Sequence, residues 1–439
     1  MMQQQLSTTR ELIDFIGKAP TAFHAIDEIA ARLQGAGFEA LTEALRPELT
    51  PGGAYYLTRN GSSIIAFRLP ENTPKGLLIA ASHSDSPTFK LKYHAEVVGA
   101  GGTLKLNTER YGGTILSSWL DRPLSVAGRA IIRTPNGIAT KTITLDRDLA
   151  VIPNVAIHQN RAVNDGFKYS PACDTFPLIG EAESSGKLEE LIAAEVGCNV
   201  EDLLGSDLYL YNRTPGTVFG LNDEFFACPR IDNLQCAFAS LQAFLCAKSS
   251  EHIQMLAVFD NEETGSTSRQ GAASTFLTDT VDMIGEALGM SAAAIHRWLP
   301  SSMMVSADNG HAVHPCHPEL SDPQNAPRMN RGVVIKYNAN QKYTTDALSA
   351  AMFRKICDKA GVPTQEFANR SDMMGGSTLG NISNTKLALN TVDIGLAQLA
   401  MHSCYETGGT SDTLYMIRAL EAFYSTSIEA LSDGSYKIS

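Results

Sequence analysis

The sequence has no run approaching the ~18 apolar residues that a membrane-crossing helix needs. Its opening, MMQQQLSTTRELIDFIG, lacks a basic segment followed by an apolar one, so no secretory leader is expected. No CxxC pair occurs among the eight cysteines, at 173, 198, 228, 236, 246, 316, 357 and 404. A zinc ribbon and a thioredoxin-like redox motif are therefore excluded. Cys236 and Cys246 lie in the apolar stretch LQCAFASLQAFLCA, where buried free thiols are expected. This usage points to a reducing cytoplasm rather than secretion. Basic residues are scarce, 35 against 47 acidic ones, giving a net charge of −12. Nucleic acid and anionic membrane surfaces are poor partners for such a chain, because phosphates are repelled. There is no internal repeat and no low-complexity tract.

What remains is an ordinary globular composition, 439 residues with 44% hydrophobic and 19% charged. At roughly 100–200 residues per domain, two or three domains are expected. Residues 6–46 read as two amphipathic helices, the second with Phe23, Ile26, Ile29, Ala30 and Leu33 at helical spacing and closed by Gly35 and Gly37. AYYLT and SSIIAFRLP flank Asn60-Gly61 as a hairpin, and LLIAA at 77–81 reads as an interior strand. From about 92 to 222 the texture changes. RAIIRTPNGIATKTITLD is a second hairpin with Asn136-Gly137 at its tip, glycines cluster at 99–102 and 112–113, and a short helix is expected near 187–196. Strand–helix alternation then resumes. The expected organisation is an α/β domain, 1–91 plus 223–439, interrupted by a β-rich insert, 92–222.

Four apolar strand-like runs end in side chains that bind metals. LLIAA leads to His83 and Asp85. HIQMLAVF leads to Asp260, Glu262 and Glu263. SSMMVSA leads to Asp308, and VDIGLAQLAM to His402. In open α/β sheets, sites form outside the carboxyl ends of strands. Asp232 joins them at the start of the helix-like run NLQCAFASLQAFL, where a carboxylate is well placed. Each motif alone has a plainer reading. HSD alone reads as a surface or capping histidine, Glu262-Glu263 as a solvated face, and Asp232 as an N-cap. Repeated at the ends of strands, they read as a metal centre. Histidines and carboxylates without cysteine suit zinc, and also cobalt or manganese. Two metals about 3.5–4 Å apart need a bridging carboxylate and a histidine on each side. Asp232 can bridge, His83 and His402 can serve as the sides, and Asp308 and Glu263 can complete one metal each. Glu262 is then left to take a proton from the attacking water. Asp85, two residues beyond His83, can hold the other ring nitrogen of that histidine.

These residues carry a resemblance. SHSDSP at 82–87, SSWLDRPLSVAGR at 117–129, PRIDNL at 229–234, DNEETGS at 260–266, SADNGHAVHP at 306–315, KYNANQKY at 336–343 and MHSCYE at 401–406 resemble the M18 family of metallo-aminopeptidases, the aspartyl aminopeptidase group. The matches run in family order from about residue 15 to residue 425. The resemblance implies a mixed-sheet α/β/α metallopeptidase domain interrupted by a dimerisation domain. It implies one metal on His83, Asp232 and Asp308, a second on Asp232, Glu263 and His402, and Glu262 as general base. It also implies removal of an N-terminal residue, Asp or Glu by preference, from peptides. Dimers would close into a larger homo-oligomer such as a dodecamer, with active sites facing an interior.

Other residues are less specific. His311, His314 and His317 in GHAVHPCHP sit at loop spacing, and the resemblance covers the first two without making them ligands. His158 in PNVAIHQN reads alone as a surface histidine; by the resemblance it reaches a neighbouring subunit's active site. Lys336, following the apolar GVVI, could hold an acidic substrate side chain or be merely solvated. Gly375, Gly376 and Ser377 lie in MMGGSTLG, which has no P-loop lysine and so is not a phosphate cradle. By the resemblance their backbone N–H groups line the substrate pocket. The same constellation also suits a two-metal amidohydrolase acting on small acylated amino acids. A non-catalytic scaffold should have lost a ligand or the base, and none is missing.

Overall fold

The computed structural model describes residues 2–439. Four strands lie side by side and parallel at the centre of a nine-stranded sheet: Ile253–Phe259, Leu77–His83, Met303–Ala307 and Asn390–Gly395. Their ends are nearly level, with Phe259 paired to His83 and Ala307 to Ile394. The first three are buried along their whole length, because helices cover both faces. Leu78 and Ala80 face a core shared with Phe15, Phe238 and Phe353; Leu77, Ile79 and Ala81 face a second core with Phe276 and Trp298. Met2–Lys18, Ala22–Gly35, Ile231–Cys246, Ala347–Ala360 and Asp412–Tyr424 pack on the first face, and Phe276–Ala287 on the second. This is the expected α/β/α arrangement. The sheet is mixed because Ser63–Arg68 pairs antiparallel with both Ala54–Arg59 and Ile253–Phe259, and Val333–Tyr337 pairs antiparallel with Asn390–Gly395. Asn60 and Gly61 both take left-handed backbone at that hairpin's turn, which is why Asn-Gly suits it.

A separate six-stranded antiparallel sheet runs in the order Gly137–Thr144, Leu124–Thr134, Leu203–Asn212, Thr88–Val98, Thr103–Tyr111 and Leu178–Glu181. It has its own core, in which Trp119, Leu124, Val126 and Leu208 meet Leu188 and Ile192 of the helix Lys187–Val196. The sheet occupies 88–212, whereas the expected bounds of 92–222 split its fourth strand. In that strand part-buried and buried residues alternate from Thr88 to Leu91, and exposed residues begin at Lys92. At the other end, Thr217–Phe219 pairs with Phe225–Cys228 in a third sheet and not with the insert.

Two further expectations are corrected. The run VDIGLAQLAM is not one strand. It leaves the central sheet at Gly395, and Ala397–Leu399 joins the third sheet beside Glu406–Gly409 and Gly310–His311. A side chain at 395 would collide with the Asp308 carbonyl, so only glycine fits this crossing. Cys236 is buried, but Cys246 is exposed, at the end of its helix and off the packed face. Among the described residues no helix is long and apolar enough to cross a membrane.

Candidate metal centre

The carboxyl ends of the four parallel strands deliver their polar residues to one place. His83 is the last residue of its strand, and the chain turns there so that Asp85 folds back. The His83 ring places Nδ1 3.0 Å from the Asp85 carbonyl and 3.2 Å from its carboxylate. A proton on Nδ1 leaves the Nε2 lone pair free, and Nε2 lies 3.7 Å from Asp232 Oδ1 and 3.6 Å from Asp308 Oδ1. His402 repeats the pattern. Its Nδ1 faces the Gly113 carbonyl at 3.1 Å, while Nε2 lies 3.5 Å from Asp232 Oδ2 and 3.4 Å from Glu263 Oε1. The two oxygens of Asp232 thus face different histidines.

Three loops bend sharply to achieve this. Arg230, Asn261 and His402 all adopt left-handed backbone, which non-glycine residues rarely take. Asp232 itself is not helical (φ −80°, ψ 110°), although it stands at the start of Ile231–Cys246. Its carbonyl accepts from Ser86 Oγ at 2.7 Å. Asp85 gathers the opposite side, its carboxylate accepting the N–H groups of Glu262 and Glu263 at 3.1 and 3.2 Å. The position of Asp85 comes from this turn after the strand, not from strand alternation.

The electrostatics call for cations. Burial pushes the Glu262 carboxyl up to about 8, with His83 opposing the rise and Asp308, Asp85 and Asp232 adding to it. Burial and Asp232 drive Glu263 well above the carboxylate range. Burial works against a proton on His402, yet Asp232 and Glu263 raise it to about 10; Asp308 and Asp85 likewise outweigh burial at His83. Protons are held where positive charge is wanted, and a divalent metal would displace them. The residues fit zinc on two counts. Asp232 Oδ1 is buried with no hydrogen-bond partner. Four ligands at 2.0–2.1 Å from a tetrahedral zinc lie about 3.3–3.4 Å apart, close to the 3.4–3.7 Å separations between these histidines and carboxylates.

Lys336 is buried rather than solvated. Its Nζ donates to the Asn309 carbonyl at 2.8 Å, lies 3.4 Å from Asp308 Oδ2, and sits over the Tyr343 ring. Two of its three protons are thereby engaged. Gly375, Gly376 and Ser377 lie in a largely exposed loop that is anchored at Thr378, whose hydroxyl donates to buried Asp393 at 2.6 Å. The other Asp393 oxygen accepts the backbone and side chain of Thr344, so this loop and the one following Lys336 share an anchor. His311 is edge-on to Phe367, while His314 and His317 stand on an exposed turn. His158 lies in an exposed turn of the insert, apart from this cluster.

The comparisons with known proteins agree with this architecture. The family model described as aminopeptidase I zinc metalloprotease (M18) matches residues 15–424. The chain belongs to the M18 family of metallo-aminopeptidases. A probable M18 family aminopeptidase 2 of Clostridium acetobutylicum is 44% identical, aligned over 96% of this chain and 100% of its own length. One from Pseudomonas aeruginosa is 39% identical over 95% and 97%. Among solved structures, a chain in the cryo-EM structure of the Ape4 and Nbr1 complex superposes with a TM-score of 0.93 at 33% identity, covering 97% of this chain and 86% of that one. The S. cerevesiae mApe1 dodecamer gives 0.83 at 27%, covering 94% and 95%.

Several residues of this M18 site went unread in the sequence. Tyr111, at the end of an insert strand, donates to Asp85 at 2.7 Å and accepts from Asn261 at 2.8 Å. Gly113, two residues on, supports His402. Glu406 is buried behind Asp232 and His402. The glycine pair after Tyr111 and the position of Glu406 four residues beyond His402 were the available signals.

Asp232 has an oxygen toward each histidine, so Asp232→Ala is expected to lower metal content more than His83→Ala or His402→Ala does. Metal content after dialysis against a weak chelator measures this; an Asp232→Ala protein that holds metal as well as the histidine variants would show that Asp232 does not serve both sides.

Proposed function

We propose that this M18 chain is a two-zinc exopeptidase that removes an N-terminal residue, preferentially Asp or Glu, from short peptides. The observation that carries the reading is the divided Asp232 carboxylate, one oxygen toward His83 and the other toward His402. His83, Asp232 and Asp308 would hold one ion, and Asp232, Glu263 and His402 the other. Bound there, the ions would supply Lewis acidity to the scissile carbonyl and acidify the attacking water. Glu262, next to a ligand but left outside both sets, takes the proton from that water and returns it to the leaving amine. Asp85 keeps the His83 ring turned with Nε2 inward, and its grip on two backbone N–H groups sets where Glu262 stands.

The acidic preference is supported by Lys336, a buried cation with one proton unengaged, beside Tyr343. The glycine-rich loop, anchored to Asp393 alongside the segment after Lys336, forms the facing wall. The insert at 88–212 serves as the dimerisation domain. Its sheet edges need covering, and a two-fold pairing covers them. The dodecamer named for yeast mApe1 supports a closed homo-oligomer. His158 would then act across a subunit boundary, flanked by the exposed Val155 and Ile157.

Assays on aspartyl-, glutamyl-, leucyl- and lysyl-peptides and on N-acyl amino acids, with metal content measured alongside, test the whole reading. Cleavage of N-acyl amino acids in place of peptides would overturn it. Glu262→Gln is expected to keep both metals and lose turnover by about 10²–10⁴-fold; loss of one metal would make Glu262 a ligand instead. In Lys336→Met, kcat/KM for aspartyl- and glutamyl-peptides should fall by about tenfold or more relative to leucyl-peptides, given the 1.5–3 kcal/mol of a charged hydrogen bond. An equal fall for all peptides would mean that Lys336 only steadies Asp308. For His158, a Glu262→Gln chain mixed with a His158→Ala chain should regain activity in reassembled hybrids. Full activity of His158→Ala alone would make that residue structural.

A further inference from the structure

Glu406 is buried to 1% exposure at the start of the strand Glu406–Gly409. No lysine or arginine pairs with it among the described residues. Its Oε2 accepts the backbone N–H of Asp232 at 3.0 Å. Its Oε1 accepts the backbone N–H of His402 at 2.8 Å and the Gln398 amide at 3.2 Å. A buried carboxylate without a cation is costly, and neutral donors only partly offset that cost. A glutamine could satisfy one of these N–H groups but would turn an NH₂ toward the other. Only a carboxylate can accept from both.

Those two N–H groups belong to residues 170 positions apart in sequence. They are the residues whose side chains face each other at 3.5 Å in the centre. Neither holds its place by regular structure. Asp232 precedes the regular part of its helix, and His402 sits in left-handed backbone on a loop between two short strands. Asp232 has a second tether through Ser86. The His402 N–H has Glu406, and its ring has the Gly113 carbonyl.

We propose that Glu406 is a positioning residue that sets the span between Asp232 and His402, and thereby the affinity of the metal these two share. This rests on the two-metal reading above. It also predicts an asymmetry. On the His402 side two of the three ligands, Asp232 and His402, have backbone N–H groups held by Glu406, whereas on the His83 side only Asp232 does, and Ser86 still holds that residue. Groups that orient metal ligands typically contribute 10–100-fold to affinity.

The test is stepwise zinc titration of the full-length protein in competition with a chromogenic chelator, for wild type, Glu406→Gln and Glu406→Asp. Asp keeps the charge but is too short to reach both N–H groups, and it serves if the Gln variant does not fold. The expected result is two zinc ions per wild-type chain. In the variants one dissociation constant should rise about 10–100-fold and the other change by no more than about threefold. Thermal unfolding of the zinc-free proteins should be alike. Unchanged constants, or a lowered unfolding midpoint of the zinc-free variants with both constants intact, would reduce Glu406 to a structural role and overturn the proposal. Fewer than two zinc ions on the wild type would instead sink the two-metal reading itself.

Discussion

Repulsion among buried carboxylates is the constraint on which this molecule turns. Asp85, Asp232, Glu262, Glu263, Asp308 and Glu406 converge at one edge of the central sheet, with Lys336 as the nearby buried lysine. Two like charges about 4 Å apart in a partly buried setting repel by about 4 kcal/mol. The fold offsets this with backbone N–H groups on Asp85 and Glu406, with protons on His83 and His402, and with Lys336 against Asp308, which lowers that carboxyl despite its burial. The residual imbalance is what suits the place to a cation. Stability and metal affinity are two faces of one electrostatic account.

The scaffold that tolerates this is the parallel stack at the sheet centre. Parallel strands put all their carboxyl ends on one edge, and the level register keeps those ends within about a residue of one another. The loops that follow carry the departures from ordinary backbone, at Asn261, Ala400 and His402. Such departures persist only where the surroundings over-determine them. Here hydrogen bonds from Asp85, Glu406 and the insert do so.

Much of this was legible because burial leaves a periodic trace. LLIAA and HIQMLAVF are apolar on both faces, so their ends could be located and the polar residues beyond them grouped. The Asn-Gly pair marked the first hairpin's turn, and Lys187–Val196 formed where its pattern placed it; at the second hairpin the turn is Pro135-Asn136, one residue early, with Gly137 already paired to Thr134. The bend at Gly395 was hidden, because the apolar run VDIGLAQLAM continues through it while the chain changes sheets. Glu406 was hidden for a related reason. Its partners are backbone N–H groups, that of nearby His402 and that of Asp232 far away in sequence, and no side-chain pattern reports them. The start of the insert was placed at 92, inside a strand that begins at Thr88 and alternates between part-buried and buried only as far as Leu91.

The strand Thr103–Tyr111 belongs to the insert's sheet, yet its end enters the candidate metal centre. Tyr111 bonds to Asp85, Gly112 packs against Glu263, and the Gly113 carbonyl holds the His402 ring. One β-strand therefore braces both histidine sides at once. The insert cannot be excised to leave a minimal peptidase, nor exchanged for an unrelated domain of the same size. The insert is thus tied to the site at three consecutive residues, Tyr111, Gly112 and Gly113.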